Sequence, residues 1–165
     1  MNLILNRILQ ILAFFVAGGG TLRPWLQKKR GVRVGKDVWI GQFVYIDQLY
    51  PDAVVIGDNC TIGLRSTIFT HLHWGARKSN NYGKVVIEKD VYIGPHCVIL
   101  PNVTIGQGSV IRGGSVVSRN VPPYTFWGNE SPGPLAKVTV PLTHEYSYEE
   151  FVQGLKPIRN KKIKH

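Results

Sequence analysis

Residues 87–122 read IEKDVYIGPHCVILPNVTIGQGSVIRGGSVVSRNVP, and an Ile or Val returns at every sixth position of this stretch. The fifth position of each hexad is Val, Cys or Ser, and Gly, Asn and Pro are common between these positions. β-branched side chains pack well on a buried pleated surface, and Gly or Asn takes the positive φ of a tight turn at little cost. A six-residue spacing is neither the period of an amphipathic helix nor that of an alternating strand.

The same period continues toward the N-terminus, where six more hexads begin at Val34, Ile40, Ile46, Ile56, Ile62 and Ile68. Three short strands make one three-sided coil, so the twelve hexads predict about four coils. Stacked coils pair their backbones and bury a central column of aliphatic side chains. The sequence therefore predicts an all-β domain, a parallel β-helix, over residues 34–130.

Two insertions interrupt the hexads. Four extra residues lie near Tyr50–Asp52, and thirteen, WGARKSNNYGKVV, occupy residues 74–86. A long excursion from a regular solenoid cannot fill its core, so we expect an outward loop at 74–86 that carries function.

Two shorter segments flank the hexad region. Residues 1–33 are predicted to hold an amphipathic helix and a basic linker, and residues 131–165 a cap and a basic tail. Within the cap, residues 144–156 predict a short helix. One face of that helix would carry Tyr148, Phe151, Val152 and Leu155.

The formal charge of +10 belongs to the chain ends. Residues 1–36 hold seven basic and no acidic residues, and residues 156–165 hold five basic and no acidic residues. Basic ends suit an anionic surface such as a membrane, or they are solvated tails that aid solubility. Residues 37–155 carry eight basic and ten acidic residues, so we do not expect nucleic-acid binding as the main role.

An apolar run at residues 8–17 follows Arg7. This run is shorter than the roughly 20 apolar residues that span a bilayer. Asn2, Asn6 and Gln10 recur every four residues, which predicts a helix with one polar stripe. Three interpretations remain open: an interfacial membrane helix, a helix packed on the body or a partner subunit, and a signal peptide.

Both cysteines, Cys60 and Cys97, fall at the fifth position of a hexad. This inside corner favours a small apolar side chain. We therefore expect buried, reduced, structural thiols and a cytosolic setting.

Residues 85–129 resemble the hexapeptide-repeat O-acetyltransferases, which include galactoside, maltose and polysaccharide O-acetyltransferases. The strings ILPNVTIG and GSVV-x-x-x-VPP carry the resemblance, which extends over roughly residues 34–130. It implies a left-handed β-helix, which is a three-sided prism, and a homotrimer with acetyl-CoA in the groove between the prisms of neighbouring subunits. It also implies that the outward loop closes the site and that the chemistry uses no metal.

Acetyl transfer to a hydroxyl requires a base, and imidazole titrates near the working pH. His71 and His73 lie where the outward loop departs, which is where the family places its catalytic base. Counting hexads without gaps favours His73, whereas the string TIFTH favours His71. Another interpretation is that both side chains only cap the loop.

The resemblance also implies a set of residues that contact acetyl-CoA. Gly113 would offer a backbone contact, and Ser118 and Arg119 match a Thr-Lys pair at the nucleotide end. Tyr92 replaces a Trp that often flanks the pantetheine arm. Pro123 and Trp127 would wall the adenine pocket or cap the solenoid end. Arg119 beside a phosphate is reasonable, although a solvated turn charge is the alternative.

Asp47 and Asp52 lie roughly where galactoside enzymes hold sugar hydroxyls. Carboxylates accept such hydrogen bonds, but solvated turn acids are the alternative. Pro95 departs from the family pattern because proline has no backbone N–H.

The sequence therefore predicts an acetyl-CoA-dependent O-acetyltransferase acting on a sugar or cell-surface glycan. One alternative is N-acetylation of an amino sugar. Another is a scaffold or a carbonic-anhydrase-like β-helix that binds zinc through His71, His73 and His96. The expected location is the cytoplasm, with peripheral contact to the inner membrane face through residues 1–36.

Overall fold

The computed structural model describes residues 3–71, 83–128, 136–140 and 148–157. The chain divides into two compact units, Met1–Asn129 and Glu130–His165. The first unit begins with two helices, α1 (Leu3–Phe15) and α2 (Leu22–Arg30), and continues as a solenoid of short strands.

Thirteen strands build the described part of the solenoid. They are β1 (Arg33–Val34), β2 (Trp39–Ile40), β3 (Tyr45–Ile46), β4 (Val54–Ile56), β5 (Thr61–Ile62), β6 (Thr67–Ile68), β7 (Val85–Ile87), β8 (Tyr92–Ile93), β9 (Val98–Ile99), β10 (Val103–Ile105), β11 (Val110–Ile111), β12 (Val116–Val117) and β13 (Phe126–Trp127).

Each strand pairs in parallel with the strand one coil later. The first sheet has the order β1-β4-β7-β10, the second β13-β11-β8-β5-β2 and the third β12-β9-β6-β3. Four coils are complete, and β13 with the Ile105–Val121 bridge begins a fifth. The predicted left-handed parallel β-helix is confirmed.

The first hexad positions form the core, as the six-residue period predicts. Ile62, Ile93 and Ile99 have no exposed surface. Cys60 and Cys97 are free buried thiols at the inside corners, and burial raises the pKa of both. Burying the uncharged thiol suits a structural role.

The structure shows what the two insertions contain and where the longer one ends. The shorter one contains a 3₁₀ helix at Pro51–Ala53. The longer one ends earlier than predicted, because Val85 and Val86 lie in β7 and Val85 is fully buried. The backbone N–H of Gly83 donates to the carbonyl of Thr70 at 2.6 Å, which ties the flanks of this insertion together.

The N-terminal segment differs from the prediction in its linker, and the structure shows in which direction the polar stripe of its first helix faces. The predicted basic linker is largely helix α2. The polar stripe of α1 faces the protein, since Asn6 and Gln10 are buried. In the described part of the chain, no helix has the length and apolar character needed to cross a membrane.

The second unit contains β14 (Ala136–Val138), α3 (Tyr148–Gln153) and β15 (Leu155–Pro157), and its two strands pair antiparallel. The helix predicted over 144–156 is therefore too long at its C-terminal end. Gly154 follows α3, and Leu155 is a strand residue. Residues 144–147 lie outside the described residues.

Candidate active site

His71 and Asp47 meet at one corner of the prism. Asp47 directly follows β3, and His71 lies three residues after β6, which is the neighbouring strand of the third sheet. Nδ1 of His71 lies 2.5 Å from Oδ2 of Asp47. The Asp47 side chain is completely buried, and that of His71 is 12% exposed.

Further hydrogen bonds hold the Asp47 carboxylate. The backbone N–H of Thr70 donates to Oδ2 and that of Leu49 to Oδ1, both at 2.9 Å. Burial by itself raises the pKa of Asp47, but the hydrogen bonds from Thr70, Leu49 and His71 together lower it below its ordinary value. The carboxylate is therefore ionised at neutral pH.

Arg30 supports the same corner from α2. Its Nη2 donates to the carbonyls of Ile46 and Asp47, both at 2.9 Å. Burial lowers the pKa of Arg30 to about 10, so its guanidinium remains a cation at neutral pH. This buried cation lies beneath the chain segment that presents Asp47.

These contacts change the role expected for Asp47. A carboxylate without exposed surface, whose oxygens already accept bonds from the protein, is not available to acceptor hydroxyls. The structure instead places it as the partner of His71. The sequence alone did not reveal this pairing, because the two residues are 24 positions apart.

Asp52 has the accessibility expected of a residue that contacts an acceptor. It is exposed in the 3₁₀ helix. It lines a cavity of about 390 Å³ together with Lys28, Lys29 and Leu49. This polar cavity adjoins the chain segment that holds Asp47.

Ser118 and Arg119 occupy the same corner as Asp47 and His71. Backbone bonds stack the residues that follow the third-sheet strands: Asp47 N–H donates to Ile68 O, Phe69 N–H to Ile99 O, and Leu100 N–H to Val117 O. Two strand spacings therefore separate the levels of Phe69 and Ser118, about 10 Å along the prism.

Arg119 and Trp127 are also brought together. The Arg119 guanidinium lies 5.3 Å from the centroid of the Trp127 ring, in cation–π geometry. Pro123 is exposed on the same final turn of the solenoid. Both Arg119 and Trp127 were predicted to lie near the nucleotide end of acetyl-CoA, and their contact makes one composite surface.

Tyr92 and Gly113 belong to a different part of the prism. Tyr92 is 47% exposed on the outer face of the second sheet, in register with Val110 and Phe126. Gly113 follows β11 of that sheet and lies on the surface. Tyr92, Val110 and Phe126 form an exposed apolar column. Only Tyr92 of this column was predicted from the sequence to belong to the site.

Three other residues at the site were missed. The Tyr50 ring meets the His71 ring edge-on, with centroids 6.1 Å apart. Thr70 and Arg30 hold Asp47 and its backbone, as described above. The signal for Tyr50 was its place in the shorter insertion, whereas Arg30 belonged to a segment that was predicted to be a basic linker.

His73 lies outside the described residues. His96 is exposed at a turn between β8 and β9. Among the residues that the structure describes, no three His, Cys, Asp or Glu side chains are grouped as they would be around a metal ion.

Two protein families match the solenoid. The bacterial transferase hexapeptide (six repeats) matches residues 84–119, and the hexapeptide repeat of succinyl-transferase matches residues 53–75. YvoF of Bacillus subtilis (strain 168), which is provisionally named an acetyltransferase, is 31% identical over 136 residues, 82% of this chain and 72% of YvoF. The bifunctional protein GlmU of a Polaromonas species is 32% identical over 120 residues, which cover 66% of this chain but only 24% of GlmU.

Solved structures share the fold. A hexapeptide-repeat acetyltransferase of Vibrio cholerae, complexed with acetyl coenzyme A, aligns with a TM-score of 0.55 at 23% identity, covering 73% of this chain and 78% of that one. A galactoside acetyltransferase in complex with coenzyme A aligns with a TM-score of 0.50 at 27% identity, covering 73% and 72%. With its stacked hexads and these relatives, the chain belongs to the hexapeptide-repeat acyltransferases.

Proposed function

We propose that this acetyl-CoA-dependent acetyltransferase acts on a hydroxyl group of a sugar or cell-surface glycan, with His71 as its general base. The contact between His71 Nδ1 and the buried Asp47 carboxylate carries the proposal. An ionised acceptor at Nδ1 favours the tautomer whose proton is on Nδ1, which leaves Nε2 as the basic nitrogen.

The reaction follows from this arrangement. Nε2 of His71 takes the proton of the acceptor hydroxyl as its oxygen attacks the thioester carbonyl. The new C–O bond forms, the C–S bond breaks, and the imidazolium returns the proton to the departing sulfur. Asp47 stabilises the transient imidazolium, because a fixed negative charge in a buried site costs no reorganisation during the reaction.

Acetyl-CoA would lie along the corner that joins His71 to Ser118 and Arg119. The separation of about 10 Å between their levels puts the nucleotide end away from the reacting thioester. Arg119 would pair with a phosphate, and Trp127 with Pro123 would cover the adenine. The complex of the related galactoside acetyltransferase with coenzyme A supports this donor.

A homotrimer would complete the site. The exposed apolar column of Tyr92, Val110 and Phe126 is suited to a groove between neighbouring prisms. Tyr92 and Gly113 would then reach the acetyl-CoA bound against the adjacent subunit. Closure of this groove by the loop predicted at residues 74–86 and the cytoplasmic location both stay predictions.

The acceptor would enter beside the cavity that Asp52 lines. Carboxylate and ammonium groups offer both acceptors and donors to a polyol, which fits a sugar better than an apolar alcohol. This polar lining is the observation that favours a glycan hydroxyl.

The test is CoA release, measured with a thiol reagent over a panel of sugars and amino sugars. His71→Ala should lower kcat by about 10²–10⁴-fold while the oligomer, measured by light scattering, is retained. His96→Ala is the matched control, since it removes an exposed turn histidine. Full activity of His71→Ala would contradict the proposal, and loss of activity in His73→Ala would then identify the other candidate. Turnover only with amino sugars would replace the hydroxyl acceptor by an amine.

A further inference from the structure

Helices α1 and α2 cover the edge of the first coil with polar side chains. The backbone N–H of Ile40 donates to the carbonyl of Gly19 at 2.8 Å. Side chains donate to five carbonyls of this edge: Arg23 to Ile40 O at 2.8 Å, Gln10 to Val44 O at 3.0 Å, Arg30 to Ile46 O and Asp47 O at 2.9 Å, and Asn6 to Gln48 O at 2.5 Å. The backbone N–H and C=O groups at an open strand edge require hydrogen-bond partners when they are buried. The polar stripe of α1 therefore points inward.

The aliphatic side of α1 therefore points outward. Seven of its apolar side chains are between 44% and 66% exposed: Leu3, Ile4, Leu5, Ile8, Ile11, Leu12 and Phe15. We call these residues the α1 outer face. On an ordinary surface helix the apolar side faces the core, so this orientation is reversed. A contiguous apolar surface of this kind marks an interaction site.

Aromatic side chains of the N-terminal segment and of the first coil are exposed as well. Phe15 packs edge-on against Phe43, with ring centroids 5.4 Å apart, and Phe43 is 36% exposed. Trp25 of α2 and Trp39 of β2 are 52% and 54% exposed. Tryptophan is enriched where proteins meet the boundary between lipid headgroups and acyl chains.

The surrounding charge is entirely positive over residues 1–36. Five of the seven basic side chains in this segment are exposed: Arg7, Lys28, Lys29, Arg33 and Lys36. The Lys29 ammonium lies 5.6 Å from the centroid of the Trp25 ring, so the cationic and aromatic surfaces are continuous. An apolar helix face in a segment that also exposes Trp and Lys is typical of helices that lie in the membrane interface.

We propose that the α1 outer face docks on the surface of an anionic lipid bilayer. Acidic headgroups would complement the exposed cations, while the aliphatic side chains enter the headgroup–acyl boundary. A second copy of the same face would instead bring two positively charged surfaces together, which like-charge repulsion opposes. Docking would bring the enzyme to membrane-bound acceptors, but it does not depend on the acetyl-transfer mechanism.

Vesicle sedimentation tests the proposal with the full chain. The protein should sediment with vesicles of phosphatidylcholine and phosphatidylglycerol in equal parts, weakly with phosphatidylcholine alone, and less at high salt. The triple variant Ile8→Gln, Ile11→Gln, Leu12→Gln should lose sedimentation. Arg7→Gln with Lys36→Gln, at two exposed cations that do not line the acceptor cavity, should lower the partition coefficient by about fivefold for each basic residue removed.

Matched controls come from the solenoid. Leu64 is 42% exposed and Lys89 is exposed, and neither lies in the N-terminal segment. Leu64→Gln and Lys89→Gln should bind vesicles as the unchanged protein does. Circular dichroism checks that each variant is folded, and CoA release with a soluble acceptor reports the acetyl-transfer activity separately.

Two results would overturn the proposal. One is that the unchanged protein stays in the supernatant with anionic vesicles at low salt. The other is that, without lipid, light scattering gives the unchanged protein a larger molar mass than the triple variant. That result would assign the α1 outer face to a second copy of the chain.

Discussion

Oδ2 of Asp47 lies 2.5 Å from Nδ1 of His71, although the two residues are 24 positions apart in the sequence. Coil stacking places β3 beside β6, and the residues that follow these strands therefore share one corner. The pairing turns a buried carboxylate into the positioning partner of the proposed base.

Replacing Asp47 by Asn should reduce kcat by about 10²-fold or more, because the amide cannot stabilise an imidazolium as a carboxylate does. KM for acetyl-CoA should change little, since Asp47 is buried beside His71. Steady-state kinetics of CoA release measure both constants. Asp52→Asn, at the exposed carboxylate, should instead raise KM for the acceptor. Equal kcat for Asp47→Asn and the unchanged enzyme would remove Asp47 from the mechanism.

The stability of the fold should depend on Asp47 in acid. The pKa of this carboxyl is lowered below 3.8 in the folded chain, so its contribution is present above pH 3.8 and is lost as the pH falls through the folded value. Thermal unfolding at neutral pH should therefore separate the unchanged protein from Asp47→Asn. The difference in Tm should shrink as the pH is lowered below about 4. A difference that is constant with pH would show that ionisation of Asp47 is not its origin.

Arg30→Met should destabilise the first unit by about 1–3 kcal/mol, since buried carbonyls of Ile46 and Asp47 would lose their donors. Urea unfolding measures the change. Lys29→Met, one residue earlier and exposed, should stay within about 0.5 kcal/mol of the unchanged protein. Equal stability of both variants would mean that water replaces the guanidinium at this edge.

Arg119→Gln should raise KM for acetyl-CoA by about tenfold or more, because a charge-assisted hydrogen bond to phosphate contributes roughly 1.5–3 kcal/mol. The value of kcat should be nearly unchanged. Arg65→Gln is the control, since Arg65 is exposed and also lies over an aromatic ring, that of Phe43. An unaltered KM in Arg119→Gln would leave the Arg119–Trp127 contact with a structural role only.

The six-residue period predicted the solenoid well because the residues within each hexad favour the local structure of one strand and one turn. An aliphatic residue enters the core, a small residue fills the corner, and a turn residue takes positive φ, as Asn59 and Asn102 do. Insertion limits were less accurate. Val85 and Val86 interrupt the count of hexads, yet both join β7.

The sequence by itself determined the repeating coil, the buried free cysteines and His71 as a candidate base, because these depend on residues close together in the chain. Only the tertiary structure decided the partner of His71 and the direction of α1. Coil stacking brings Asp47 to His71 across a full turn of the prism. Asn6, Gln10 and Arg30 face inward because the buried carbonyls at the edge of the first coil require donors. The aliphatic side of α1 therefore faces outward.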